Sequence, residues 1–420
     1  MKELIGSKRY NFGNEMTVIS DEGGVLNFNL LKEGVASNAA AFRKLMRLSP
    51  AGGVSSKVFP PTLSGGVYAF EKRRISAEKN ENTVLLDSVQ SQANRMEIAL
   101  LKAYRSGELK IPLLQVDFAP DFPEVGKITT LDAPHRIADA IFRDSLLQGK
   151  RFRESDVGKE FESANTRNST PLLKYCPQAL IFGVWDSTGA AGGLGNKFQR
   201  LITSEIVGFG VEPGVHTSSR IDPLGIAKVP DFYEGVNGDW TLNASDAKKD
   251  KKGNVVKKKP SDFVLGNILP TIDTDDNNHP IRGGVTIDYA LQTIVISLPA
   301  LRRLHFHVNG SETPRANIAA RTFLAALAIY SAELANAEGY DLRSGCLLLP
   351  QYSSWELVTN AGSAKKYLID LEQAKSLLDS SIKEMLEADL PWEAREINLV
   401  PEKRLKDLIK KSHQRMIEPE

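Results

Sequence analysis

The sequence predicts an α+β fold, and three features carry that prediction. Segments whose apolar residues recur at helical spacing are interspersed with β-branched, strand-like runs. Two long irregular stretches, residues 49–82 and 222–282, interrupt them in the manner of insertions into one core. Hydrophobic residues at 41% and charged residues at 25% describe a folded globular chain and exclude disorder along its length. Although 420 residues allow two or three units, the pattern suits a single elaborated domain over 1–420 with a C-terminal helical segment at about 364–420. No period of 20 to 50 residues repeats, so a solenoid is not expected.

In chain order, Val84, Leu85, Val89, Ala93, Met96, Leu100 and Leu101 recur at helical intervals and predict a helix from near Thr83 to Tyr104. A strand is expected at Lys110 to Phe118. After Pro134, a second helix is expected with Ile137, Ala140, Ile141 and Leu146 on one face. The apolar run from Ala179 to Trp185 reads as a buried strand. Leu201, Ile202, Ile206 and Val207 predict a third helix from about Lys197 to Val207, stopped by Gly208. Thr286 to Ser297 and Leu342 to Leu349 read as strands. Between them lies the longest helix, Ala316 to Ala337, closed by Gly339. An amphipathic helix is expected from Ala364 to Leu386, then a minor strand at Ile397 to Val400 and a short basic helix after Pro401.

Apolar runs such as Ala179 to Trp185 fall short of the ~20 residues that span a bilayer. The N-terminus is polar again by Ser7, without the apolar core of a signal peptide. Two cysteines, Cys176 and Cys346, cannot build a disulfide framework or the usual four-ligand zinc site. A cytoplasmic protein with no membrane partner is expected.

With 53 Lys plus Arg against 52 Asp plus Glu, the chain is not basic overall. If it binds nucleic acid, its cations must be segregated. One place does so: Lys248 to Pro260 holds seven lysines and one aspartate, a local charge of +6. Such a run repels itself and stays solvated unless a polyanion binds it, and Gly253-Asn254 marks the tip of a hairpin or long loop. Lys251, Lys252, Lys257 and Lys258 are its candidate phosphate contacts, a plain surface loop being the alternative.

The densest constellation is Tyr175 to Gly210, where the apolar run enters a glycine-rich loop that leads to Lys197-Phe198-Gln199-Arg200. Glycines let backbone amides approach an anion, and a helix start would add unpaired donors and a positive dipole end. A P-loop needs Gly-Lys-Ser/Thr, but Asn196 precedes Lys197 and Phe198 follows it; the dinucleotide pattern beginning at Gly193 and Gly195 fails at Phe198. A nucleic-acid backbone phosphate fits better, since it needs amides and cations without a metal. Gly192, Gly193, Lys197, Gln199 and Arg200 are the candidates here, against a merely flexible turn. Weaker candidates are Gln92, Asn94 and Arg95 on the first long helix, Arg136 after His135, and Ser219 and Arg220 in a hydroxyl-rich loop.

Catalytic signals are thin. His305 and His307 alternate, as a structural pair on a strand would, and no Gly-x-Ser-x-Gly, His-Glu-x-x-His or Cys-x-x-Cys occurs. No metal or cofactor is expected.

Taken together, Val58-Phe59-Pro60-Pro61-Thr62, Leu86 to Arg95, His135-Arg136 with Arg143-Asp144-Ser145, Phe182 to Thr188, and Ser218 to Pro223 resemble the Csb-type RAMP proteins. Those are the backbone (Cas-seven-type) subunits of the type I-G, formerly I-U, CRISPR surveillance complex. The similarity covers most of Val58 to Pro223, in the right order. The resemblance implies an RRM-like palm, a modified ferredoxin-like sheet with helices, carrying finger- and thumb-like insertions. It implies copies stacked along a CRISPR guide RNA, beside a large subunit and a guide-processing subunit, with the guide left free to pair with target DNA. Contacts to phosphate and sugar rather than to base edges follow. The usual RRM aromatic motif is absent, so bases are not expected to stack on sheet aromatics. Two other classes compete. A RAMP-type endoribonuclease, for guide processing or target RNA cleavage, would use His135 with Asp132 or Asp144; a small-molecule enzyme would need the nucleotide motifs that fail here.

Overall fold

The computed structural model describes residues 24–189, 197–226, 229–274, 282–351, 353–392 and 394–417. The elements that build the molecule's centre are α1 (Phe28–Ala36), β1 (Ala41–Pro50), β2 (Phe70–Arg74), β3 (Asn80–Asp87), α2 (Val89–Arg105), β4 (Leu113–Asp117), α3 (Pro177–Phe182), β5 (Val184–Trp185), β6 (Lys197–Phe198) and β7 (Ile202–Phe209). They continue with β8 (Tyr289–Ser297), α4 (Leu298–Arg302), α5 (Pro314–Ala337), β9 (Tyr340–Arg343), β10 (Cys346–Pro350), β11 (Trp355–Val358), β12 (Ala364–Leu368), α6 (Leu371–Glu387), β13 (Glu396–Pro401) and α7 (Lys403–Ile417).

A ten-stranded sheet organises them. Its centre runs β10–β1–β8–β7, every neighbour antiparallel. In chain order these strands are first (β1), second (β7), third (β8) and fourth (β10), with α2 between first and second and α5 between third and fourth. That is the split β-α-β-β-α-β order of a ferredoxin-like palm, in line with the α+β expectation. The hairpin β2–β3 extends the β7 edge and β11–β12 extends the other. A second, five-stranded sheet places β13 parallel to β4 and joins the C-terminus to the middle of the chain.

Alternation in β1 sends Phe42, Lys44, Met46 and Leu48 inward and leaves Arg43, Leu45 and Arg47 outside. The helices cover the inward side. Thr313 caps α5 by accepting from the Ala316 amide, and Pro314 opens its first turn, where a missing N–H costs nothing. Small residues (Ala319, Ala320, Ala325, Ala328) let neighbouring helices approach α5 closely, so it is buried nearly all round. By length and composition α5 passes for a membrane span, yet 78% of its most apolar window is buried inside the protein. Glu333 on α5 accepts from Lys44 of β1 (2.7 Å) and from the Trp355 indole of β11 (2.7 Å), fixing helix to sheet.

Several sequence expectations are revised. The helix expected from Thr83 is a strand as far as Asp87, with Ser88 capping α2. The buried strand expected at Ala179 to Trp185 is helix α3 followed by the two-residue β5. The helix expected at Lys197 to Val207 is strands β6 and β7. The segment after Pro134 forms only a 3₁₀ turn, Arg136–Ala138, and one helical turn, Ala140–Arg143. Leu342 to Leu349 is a hairpin rather than one strand, and Ala364 to Leu368 is a strand before α6.

Candidate nucleic-acid interface

Cations without an ion pair to a described residue gather at two of the places singled out by the sequence, one on the palm and one on the excursion between β7 and β8. On the palm, α3 ends at Gly183, whose φ of +83° is open to glycine without strain. A Cβ there would lie 3.0 Å from Cγ of Arg200 and 3.1 Å from the Phe198 carbonyl, so the chain crosses itself closely at this point. The hairpin β5–β6 then sets Lys197 opposite Trp185. The indole is 55% exposed, and the Lys197 ammonium lies 5.5 Å from its ring centre. Phe198 is buried beneath them, Gln199 is exposed and Arg200 is half-buried.

Arg200 makes no ion pair with any described residue. Burial, and then the neighbouring charge of Arg136, pull its guanidinium pKa below the ordinary value; Glu97 opposes this but is already engaged. A partly desolvated cation of this kind gains from an incoming anion. No helix begins at Lys197, so the dipole expected there is absent and the positive potential rests on side chains. Gly192 and Gly193 lie outside the described residues. The neighbouring Asp186 is 3% exposed and is held through Oδ1 by Arg153 (2.9 Å) and the Thr188 amide (3.1 Å). The Trp-Asp-Ser-Thr segment is therefore anchored on the core rather than free.

Two expected contacts, Arg136 and Gln92, are buried, and a third, Arg95, is half-exposed and tied to the same buried network. Arg136 is 6% exposed; its Nε and NH2 donate to both oxygens of Glu97 (2.6 and 2.8 Å) and its NH1 to the Gly183 carbonyl (2.8 Å). It sets the position of the glycine turn and leaves no face for RNA. Gln92, 4% exposed, donates to Asp87 (2.6 Å) and accepts from Ser204 (2.8 Å) and Gln292 (2.9 Å). Arg95 donates to the same Asp87 oxygen (2.9 Å) and to the Leu342 carbonyl (2.6 Å). Asp87 is fully buried and also accepts from Arg343 (3.3 Å), so this motif ties α2 to β3, β7, β8 and β9. Asn94 alone of the set is exposed.

In the excursion, Glu212–Val215 pairs with Arg282–Thr286 and Thr217–Arg220 with Ile268–Ile272, making a two-stranded root. Ser219 is exposed on it, whereas Arg220 donates to the Val264 carbonyl and lies 3.4 Å from Asp222. Beyond the root, Lys249 bridges Val255, and Asp250 accepts from the amides of Lys252 (2.8 Å) and Asn254 (2.9 Å), closing the hairpin around Gly253. Lys248 and Lys258 pair with Glu234. Lys257 sits 5.9 Å from the Tyr233 ring centre. Lys249, Lys251, Lys252, Lys257 and Lys259 are exposed and make no ion pair with a described residue.

Sequence reasoning missed the uncovered face of the palm sheet. There Arg47 lies 4.2 Å from the ring centre of Tyr289, which stacks on Phe209 at 5.0 Å and 6°. Leu45, 39% exposed, and half-exposed Leu291, Thr293 and Val295 continue the surface. The Arg-x-Leu-x-Arg alternation of β1 was the available signal, since strand periodicity puts both arginines on the side opposite Phe42 and Met46.

Of the nuclease candidates, the two aspartates are engaged by neighbouring groups of the chain. Asp132 accepts from the amide and hydroxyl of Thr129 (2.9 and 2.7 Å). Asp144 is clasped by Arg143 and Arg404. His135 is exposed, and its amide donates to Asp139. His305 pairs with Glu312 at 2.7 Å rather than with His307, and no metal-binding group of three His, Cys, Asp or Glu occurs among the described residues.

Comparison with known families bears on these cations. Residues 44–213 match the family model described as CRISPR-associated protein GSU0053. The match supports a CRISPR-associated protein with a role in CRISPR defence. It runs from within β1 through α2, Arg136, Asp186, Lys197 and Arg200 to the first residues of the excursion. The lysine hairpin, β8 and α5 lie outside it. No curated protein matches the chain.

Proposed function

We propose that this chain is a non-catalytic, RNA-coating backbone subunit of a CRISPR effector complex, of the Csb type found in type I-G (formerly I-U) systems. In this reading, copies stack along one guide RNA, hold it by phosphate and sugar, and leave its bases to pair with target DNA. Large and guide-processing subunits complete the assembly. The observation that carries the reading is that cations without an ion pair to a described residue stand at two places on one RRM-like chain. Lys197 and Arg200 stand at the end of the palm sheet; the lysine hairpin stands on the excursion. Among the described residues both places are richer in cations than in side-chain amides, which suits a polyanion bound without regard to sequence.

Binding of a fluorescent single-stranded guide RNA across a salt series tests this. Neutralised phosphates make log K fall with log salt at roughly 0.7 per contact for single strands. Replacing Lys197 and Arg200 together by alanine should weaken binding and flatten that slope by roughly 1.4. An unchanged slope would remove the palm site. Purification from cells expressing the guide should yield protected RNA in a ladder of assemblies; an RNA-free monomer would overturn the coating role. Specific cleavage of guide or target RNA that is lost in His135→Ala would favour the endoribonuclease.

A further inference from the structure

Away from the cations just described, a cleft opens where α1, α4 and the start of α5 meet, with a cavity of about 620 Å3. Val35, Pro314 and Ile318 supply its apolar lining, and Arg302 and Arg321 supply its charge. Arg302 donates through NH1 to the carbonyls of Ser37 and Ala39 (both 3.0 Å), and Arg321 through Nε and NH2 to the Leu304 carbonyl (2.9 and 2.8 Å). These neutral acceptors fix both side chains without cancelling either charge, and neither guanidinium makes an ion pair with a described residue. The cleft's acid, Glu312, is already committed through Oε1 to His305 (2.7 Å) and Asn317 (2.6 Å). Holding two oriented forks partly out of water without a contacting carboxylate is costly, and an incoming carboxylate relieves that cost. Burial is the main influence on Arg321, pulling its pKa down; the Glu312 charge opposes this without contact and the Arg302 charge adds to it.

We propose that this cleft binds an acidic, aliphatic peptide segment of a partner protein, its carboxylate facing Arg302 and Arg321 and a neighbouring aliphatic side chain packing on Val35 and Ile318. Peptide is favoured over nucleic acid because aliphatic side chains line the cleft, and the one ring among its described lining residues, His305, is held by Glu312. The inference stands independently of RNA coating.

Fluorescence anisotropy with a labelled ten-residue peptide of alternating Leu and Glu tests it on the full chain. A Leu/Lys peptide and an eight-nucleotide oligouridine serve as the other probes. The acidic peptide should saturate, and Arg321→Gln should weaken it by about tenfold or more. Because Arg321 also holds the Leu304 carbonyl, Ile318→Glu supplies a second variant, which adds negative charge to the cleft and leaves both arginines anchored. It should abolish peptide binding as well. Absence of saturable peptide binding, equal affinity in either variant, equal binding of the Leu/Lys peptide, or an Arg321-dependent site for oligouridine instead would each overturn the proposal.

Discussion

At the scale of single residues, the positions that decide this fold are buried charges whose partners come from distant parts of the chain. Arg136 and Glu97 are both almost fully enclosed and meet in a two-pronged pair. Such a pair adds little net stability against a hydrophobic replacement of both members, but removing one member strands the other. Arg136→Met should therefore destabilise the chain by about 3–5 kcal/mol in urea denaturation. At a salt where the variant stays folded, the RNA salt slope should be unchanged; a flattened slope with intact stability would return Arg136 to the binding surface. Asp144 gives a pH prediction. Hydrogen bonding from Arg143, then the charges of Arg143, Arg404 and Arg151, hold its carboxyl below the ordinary 3.8. A depressed folded value means that the contribution is complete above the unfolded value and is lost as pH falls through the folded one. The gap in unfolding temperature between wild type and Asp144→Asn should stay constant from pH 7 to 5 and narrow below 3.8. A gap that widens on acidification would contradict the assigned pairing.

Among the elements, legibility in the sequence followed how sharply each end was marked. Helix α5 was read nearly to its ends because its composition is uniform and Gly339 closes it. The segments Ala179 to Trp185 and Lys197 to Val207 were read the wrong way round, for a single reason. A segment buried on all sides carries no periodicity, so α3 looks like a strand, while the β-branched Ile202, Thr203, Ile206 and Val207 fit a helical face by accident. Pro177 and Gly183, bracketing α3, were the better signals. The same blindness affected the site. Gln92, Arg95 and Arg136 look like surface polar residues in one dimension, and only the third shows that Asp87 and Glu97 wait beneath them. The lysine hairpin was readable because a dense run of like charge has too few acids within it to be neutralised, and Glu234 reaches only Lys248 and Lys258. Helix α6 illustrates an overlooked boundary: Asp370 accepts from the Gln373 amide (2.8 Å) and Gln373 returns a bond to the Asp370 amide (3.1 Å). This reciprocal cap separates β12 from α6 where a continuous helix was expected. Asp370→Ala should cost about 1 kcal/mol by chemical denaturation; no loss would mean that packing of Leu377, Leu378 and Met385 sets the helix start without the cap.

Across the whole molecule, an almost neutral chain would bind a polyanion, in the proposed reading, by pairing some of its cations and leaving others without an ion pair to a described residue. Glu234 shows this within one hairpin: it pairs with Lys248 and Lys258 and leaves Lys249, Lys251, Lys252, Lys257 and Lys259 without an ion pair to a described residue. The palm does likewise when Glu97 engages Arg136 and leaves Arg200 half-desolvated. If both places grip one RNA, their electrostatic contributions should add, because charges on separate elements with no shared partner couple weakly. Lys251→Gln with Lys252→Gln should flatten the salt slope by roughly 1.4, and combining it with the Lys197/Arg200 pair by roughly twice that. The hairpin change alone should not alter thermal stability in the absence of RNA, since these lysines are solvated and bear on no core residue. A combined slope no flatter than the palm variant's own would place the lysine hairpin off the RNA and leave it facing some other partner; full additivity would put excursion and palm on one continuous strand.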